Sequence, residues 1–197
     1  MAKYFDPSAL HEMDEARKRI FAERETIYKK FKVDILDTDA LSSLSIYNIV
    51  KQYDPNYNVN FARNGEDGKS GETLSEHKAC RVDGKFTKTG KLRKNAGLDA
   101  AFQFHAMGDI GHQRYIFVAR CKDDLSILRM YDISNKDNCK KIVDHLMDER
   151  QKWLDRSSGD PSKMKRDIIQ ISEKQILEQI KFNNTTIDNV VVYRDIV

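Results

Sequence analysis

The order of apolar patterns along this chain predicts an α/β (α+β) fold: a central mixed β-sheet flanked by helices. Three observations carry that expectation. Helical periodicity runs along the N-terminus and again after residue 136, two short apolar strands lie within 114–131, and residues 73–82 alternate as a strand does. With 197 residues, 40% hydrophobic and 33% charged, and only 9 Gly and 3 Pro, the chain has length for one ordinary domain and its core. The same composition excludes collagen, low-complexity and disordered classes. Residues 1–197 are therefore expected to form a single domain. Residues 1–55 would be a helical N-terminal region and 161–197 a helix–strand appendage.

Asp6-Pro7 reads as an N-cap followed by proline at the first helical position, and Leu10, Met13, Ile20, Phe21, Ile27, Tyr28 and Phe31 recur at roughly helical spacing. This predicts a helix over 8–31. A second, over Ala40–Gln52, starts from Asp37-Thr38-Asp39 and stops before Asp54-Pro55. Tyr57–Arg63 alternates weakly as a strand, Asn64–Gly71 is a Gly-rich turn, and Thr73–Val82 is a strand. Residues 83–95 form a basic loop or ribbon with turn signals at Asp83-Gly84 and Thr89-Gly90, and Ala96–Met107 has helical composition. Arg114–Arg120 and Leu125–Tyr131 read as a tight hairpin. A helix over Lys136–Asp155, a break at Ser157–Pro161, a helix to Ile180 and a strand over Asn189–Arg194 complete the expectation.

The net charge of +3 hides a strong partition. Residues 1–76 carry 11 Lys/Arg against 14 Asp/Glu, residues 77–94 carry 7 against 1, and residues 95–197 carry 16 of each. The whole basic excess therefore sits in one short segment, which suits an anionic partner. Three cysteines, Cys80, Cys121 and Cys139, are odd in number and widely spaced, which argues against a disulfide framework and a zinc knuckle. The longest apolar runs, near Tyr115–Ala119 and Val190–Tyr193, fall far short of the ~20 residues of a membrane crossing. With no signal-peptide pattern after Met1, the expected location is cytoplasmic, with no membrane partner.

The chemistry-bearing residues are Asp67, Glu76 and Lys78. Side chains alternate along a strand, so Leu74, Glu76, Lys78, Cys80 and Val82 share one face while Thr73, Ser75, His77, Ala79 and Arg81 share the other. A carboxylate and an ammonium thus interrupt the more apolar face, where charge is costly unless it has a partner. A hairpin through Gly68–Gly71 swings Asp67 back beside Glu76. Two converging carboxylates make an oxygen site for Mg²⁺, which takes few protein carboxylates and keeps several waters. The His77 main-chain carbonyl is a plausible further ligand. A neighbouring ammonium, Lys78, can orient water or stabilise charge developing on a phosphate oxygen.

Asp67…Glu76-x-Lys78 resembles the PD-(D/E)xK nuclease motif, specifically that of type II restriction endonucleases. Arg63-x-Gly65-x-Asp67, a Gly-containing turn and Glu76-His77-Lys78 are similar to the active-site stretch of the small homodimeric, blunt-cutting members. Tyr115-Ile116-Phe117-Val118-Ala119-Arg120, the strand after it and the helix with Trp153 look like their second hairpin and the helix behind it. The similarity covers about residues 58–155. Glu66 stands where the family's proline precedes the aspartate, and His77 is more polar than the usual middle residue. Glu66 and Glu72 remain alternatives to Asp67 as ligand.

The resemblance implies a restriction-endonuclease-like fold and a Mg²⁺-dependent, sequence-specific double-stranded DNA endonuclease. Asp67 and Glu76 would hold the metal and Lys78 would position water. Arg81, Lys85, Lys88, Lys91, Arg93 and Lys94 are the expected phosphate contacts, where neutralisation makes binding salt-dependent. Asn95 is the right type to read adenine. His105 is read either as a DNA contact or as a core-edge histidine. Cutting both strands of a palindromic site with one centre per chain implies a homodimer, with the N-terminal helices as its interface. Two rival readings stand beside this one: a repair, nicking or junction-resolving nuclease of the same fold, and a non-catalytic DNA-binding protein in which Glu76 and Lys78 merely pair.

Overall fold

A computed structural model describes residues 7–32, 34, 38–61, 66–82, 85–86, 92–93, 97–103, 113–120, 127–157, 159–160 and 168–196. They fall into two compact units, residues 1–41 and 42–197.

In the first unit helix α1 spans Pro7–Phe31, as its periodicity predicts. Leu10, Met13, Ile20, Phe21, Tyr28 and Phe31 are each about half exposed along it. Its polar rows are laced by Arg17–Asp14 at 2.7 Å and Lys29–Glu25 at 2.8 Å. Exposed pairs at this spacing are screened by solvent and contribute little to stability.

The larger unit is built on a seven-stranded mixed sheet. Its strands are β1 (Tyr57–Val59), β2 (Gly68–Ser70), β3 (Thr73–Arg81), β7 (Arg114–Arg120), β8 (Ile127–Ile133), β10 (Phe182–Ile187) and β11 (Val190–Asp195), and their spatial order is β1-β2-β3-β7-β8-β11-β10. The β3–β7 and β8–β11 pairs are parallel and the others antiparallel. Every residue of β7 is buried, because helices and a second strand layer cover both of its faces.

On one face Tyr115, Phe117 and Ala119 pack with Tyr131 and Ile133 of β8 against Cys139, Ile142 and Leu146 of helix α3 (Lys136–Arg156). On the other, Ile116, Val118, Met130 and Val192 meet Ile46, Ile49 and Val50 of helix α2 (Thr38–Val50). The mixed sheet flanked by helices is thus present. Helix α3 starts where Asn135 accepts hydrogen bonds from the Asp137 and Asn138 amides at 3.0 and 3.2 Å, satisfying N–H groups that have no partner within the helix.

Three expectations need correction. Asp99–Gln103, inside the segment read as helical, is strand β6, and it pairs antiparallel with strand β9 (Ile168–Ser172), which lies where a helix was expected. The period-two pattern prevails over composition: Leu98, Ala100 and Phe102 are buried against Ile169 and Ile171, while Asp99 and Ala101 face out. Helix α4 is only Glu173–Gln179, begun by a reciprocal Ser172–Gln175 capping box.

Third, an additional strand, β10, precedes the expected last strand. The two are joined through Asp188 and Asn189 at φ 48° and 66°, the positive pair that a tight hairpin turn needs. The segment expected as an appendage therefore supplies β9 to β11, and β11 lies inside the main sheet, between β8 and β10.

Two short strands, β4 (Lys85–Phe86) and β5 (Leu92–Arg93), pair antiparallel as a small ribbon. Glu173 ties α4 to its neighbours, accepting from Arg129 Nη2 at 2.6 Å and the Leu98 amide at 3.0 Å, and also from Tyr131. Among the described residues no helix is long and apolar enough to cross a membrane.

Candidate active site

The β2–β3 hairpin turns at Gly71, whose φ of +58° favours glycine, and pairs Gly68 with Ser75. Asp67, just before Gly68, extends the pairing by donating its amide to the Ser75 carbonyl at 3.0 Å. Its side chain then replaces a backbone acceptor: Asp67 Oδ2 takes the His77 amide at 2.7 Å. The carboxylate is thereby fixed on the edge of β3. In an extended strand a residue's N–H and C=O point to the same edge, so the His77 carbonyl leaves β3 on the Asp67 side.

Burial pushes the Asp67 carboxyl above its ordinary range, and the nearby charge of Glu76 pushes it further. The His77 amide and Lys78 act in the opposite direction without cancelling the rise. Glu66 and Glu72 lie elsewhere in this hairpin: the Glu66 carbonyl accepts from Asn60 Nδ2 at 3.0 Å, and Glu72 is exposed in the turn.

Glu76 and Lys78 share the face of β3 that meets α3, in register with Tyr115 and Phe117. Their side chains are 16% and 26% exposed and form an ion pair, with Lys78 Nζ 5.1 Å from the Phe102 ring centroid. That pairing compensates two charges on an apolar face.

His77 occupies the opposite face. Its Nε2 hydrogen-bonds to Tyr57 Oη, while its buried Nδ1 makes no hydrogen bond among the described residues. Burial pushes the imidazole down to about 4, so it is neutral at pH 7. Burial likewise pushes the Tyr57 hydroxyl up to about 12. Behind His77 lies a polar network that the sequence reading missed. Arg114 Nε and Nη2 bond Asp132 at 2.8 and 2.6 Å, and its Nη1 bonds Asp54 at 2.7 Å. Tyr53 donates to Asp132 at 2.7 Å, Ser70 donates to Asp54 at 2.9 Å, and the Arg114 guanidinium lies over the Tyr57 ring at 5.0 Å. No local signal marked it: Arg114 begins one expected strand and Asp132 lies just past the end of the other.

Of the expected DNA contacts, Arg81 ends β3, and Lys85 and Arg93 stand opposite one another across β4–β5. Lys88, Lys91, Lys94, Asn95 and His105 lie outside the described residues. Among the described residues, no group of three or more His, Cys, Asp or Glu side chains gathers as a metal cage. No protein family, curated protein or solved structure matches the chain.

Proposed function

We propose that this protein is a Mg²⁺-dependent, sequence-specific DNA endonuclease with a restriction-endonuclease-like core. The observation that carries the reading is the side chain of Asp67, bonded to the His77 amide on the edge of β3 next to Glu76, with its carboxyl raised mainly by burial and further by the charge of Glu76. A Glu76–Lys78 ion pair needs no second carboxylate, whereas a hard cation does. Two carboxylates and the His77 carbonyl suit Mg²⁺, which completes its shell with water. The mixed sheet with helices on both faces agrees with the architecture that the motif implies.

In this reading Asp67 and Glu76 would hold the ion, whose chemistry there would be Lewis-acid activation of water and neutralisation of phosphate charge. Glu76, paired here with Lys78, would be one of the residues that hold the cation. The Lys78 ammonium, near the Phe102 ring, would orient the attacking water or stabilise charge on a phosphate oxygen. Products would carry 5′-phosphate and 3′-hydroxyl ends. The basic segment from Arg81 to Lys94 neutralises the DNA backbone, and a homodimer joined through α1 would cut both strands.

The test is incubation of a long unmethylated duplex with purified protein, in Mg²⁺ or in EDTA, beside Glu76→Ala. Discrete, metal-dependent fragments that the variant does not produce are expected. A competing reading, a non-catalytic DNA binder, is favoured by the closed Glu76–Lys78 ion pair. Metal-independent binding without turnover would establish it. Cleavage confined to branched or damaged DNA would move the assignment to a repair or junction-resolving nuclease.

A further inference from the structure

The Tyr57 side chain is fully buried, and its hydroxyl stands at the meeting point of three backbone positions around the candidate site. It hydrogen-bonds His77 Nε2 and lies 3.2 Å from Ser75 Oγ. Those two residues flank Glu76 on the opposite face of β3. The same hydroxyl packs against Gly68, the residue after Asp67. A Cβ at position 68 would overlap Tyr57 Oη and approach the Asn58 carbonyl and Ser75 Oγ to 2.9 Å.

One hydroxyl therefore holds the neighbours of both carboxylates. With the proton on Nε2, His77 donates to Tyr57 Oη and the hydroxyl can donate to Ser75; with it on Nδ1, Tyr57 donates to Nε2, and the contact holds in either tautomer. The Tyr57 ring is held in turn by Arg114, which is fixed between Asp54 and Asp132.

We infer that Tyr57 is a positioning residue: through Ser75, His77 and Gly68, its hydroxyl sets the spacing of the Asp67 and Glu76 carboxylates from the opposite face of the sheet. The metal part of this inference rests on the nuclease reading; the geometric part does not. No substrate contact is assigned to Tyr57. Its effect is transmitted through the strand, as partners behind metal-ligating side chains orient them.

The experiment uses the full chain without DNA, with Mn²⁺ as probe. Mn²⁺ binding is followed by electron paramagnetic resonance and amide exchange by NMR. Tyr57→Phe removes the hydroxyl and keeps the ring. It is expected to weaken Mn²⁺ binding by about tenfold and to speed exchange of the Glu76 and His77 amides, with those of β8 and α3 unaffected. Ser75→Ala, which cuts one arm of the arrangement, should move both readouts in the same direction by less. Tyr53→Phe loses a hydroxyl of the same network without touching Ser75 or His77. It should lower stability and leave Mn²⁺ affinity unchanged.

Wild-type exchange at Glu76 and His77 in Tyr57→Phe overturns the inference, as does an equal loss of Mn²⁺ affinity in Tyr53→Phe. If the wild-type chain takes up no Mn²⁺, the nuclease reading fails while the exchange comparison still decides whether Tyr57 positions the hairpin.

Discussion

Arg114 and Asp132 meet diagonally across adjacent strands, Asp132 standing opposite Ile116, their side chains only 6% and 3% exposed and joined by two hydrogen bonds of 2.8 and 2.6 Å. Two such bonds from one planar guanidinium fix both distance and angle. Removing one member of a buried pair leaves a charge without compensation, which costs about 3–5 kcal/mol. Asp132→Ala is expected to lower the unfolding free energy, read from urea titration, by an amount in that range. Arg114→Met combined with Asp132→Leu should recover only part of the loss, since Asp54 and Tyr53 would lose partners. A stability equal to wild type for Asp132→Ala would show the pair to be unimportant.

Asp67→Asn keeps an oxygen that can accept the His77 amide but removes the charge. It should fold as wild type does and bind DNA with similar affinity, yet cleave at least ~10²-fold more slowly, the scale on which removal of a group stabilising transition-state charge is felt. Lys78→Ala should behave in the same way. Gel-shift and cleavage assays on the same preparations separate the two effects, and joint loss of binding and cleavage in a folded variant would count against these roles.

Glu173 gives a pH signature. Burial alone would raise its carboxyl, but the bonds from Arg129, Tyr131 and the Leu98 amide outweigh it and hold the group below the ordinary carboxylate range. A depressed folded value means stability that is fully present above the unfolded value of about 4.3 and lost as pH falls through the folded one. Denaturant titrations of wild type and Glu173→Gln should therefore differ most above pH ~4.3 and converge at lower pH. A gap that stays constant from pH 7 to pH 2 would contradict the assignment.

Two glycines of one hairpin should fail for different reasons. Gly68→Ala places a methyl group against Tyr57 Oη and two further oxygens, and crowding of this kind costs about 1–3 kcal/mol. Gly71→Ala meets nothing within 4 Å, but its φ of +58° is unfavourable for an L-residue by roughly 1–2 kcal/mol. Only the first change should also disturb the His77 amide, and its exchange rate is the measurement that tells them apart.

The hairpin that carries Asp67, Glu76 and Lys78 was legible because alternation and a Gly-rich turn are local signals. The sheet's mixed character was legible from the order of segments. Strands β6 and β9 were not read, although Leu98-x-Ala100-x-Phe102 and Ile169-x-Ile171 carry the strand period, because Ala, Gln and Met around them favour helix. Strand β10 was hidden because Asn183–Thr186 faces outward and offers no apolar alternation. The Arg114–Asp132 pair needed knowledge of register, since each residue alone reads as an isolated charge in an apolar run. His77 was judged by its carbonyl, and the partner of its ring, Tyr57, lies twenty positions away.

The parallel alignment of β3 on β7, Glu76 beside Tyr115 and His77 beside Ile116, also bears on misfolding. A slip by a single residue would exchange the two faces of β3, sending the acidic and basic side chains into the aliphatic layer beneath α2 and turning an imidazole toward Phe102. No intermediate alignment preserves half of the arrangement. On the nuclease reading, chains caught with such a one-residue slip would be inert rather than weakly competent, so the specific activity of a preparation would count correctly aligned molecules.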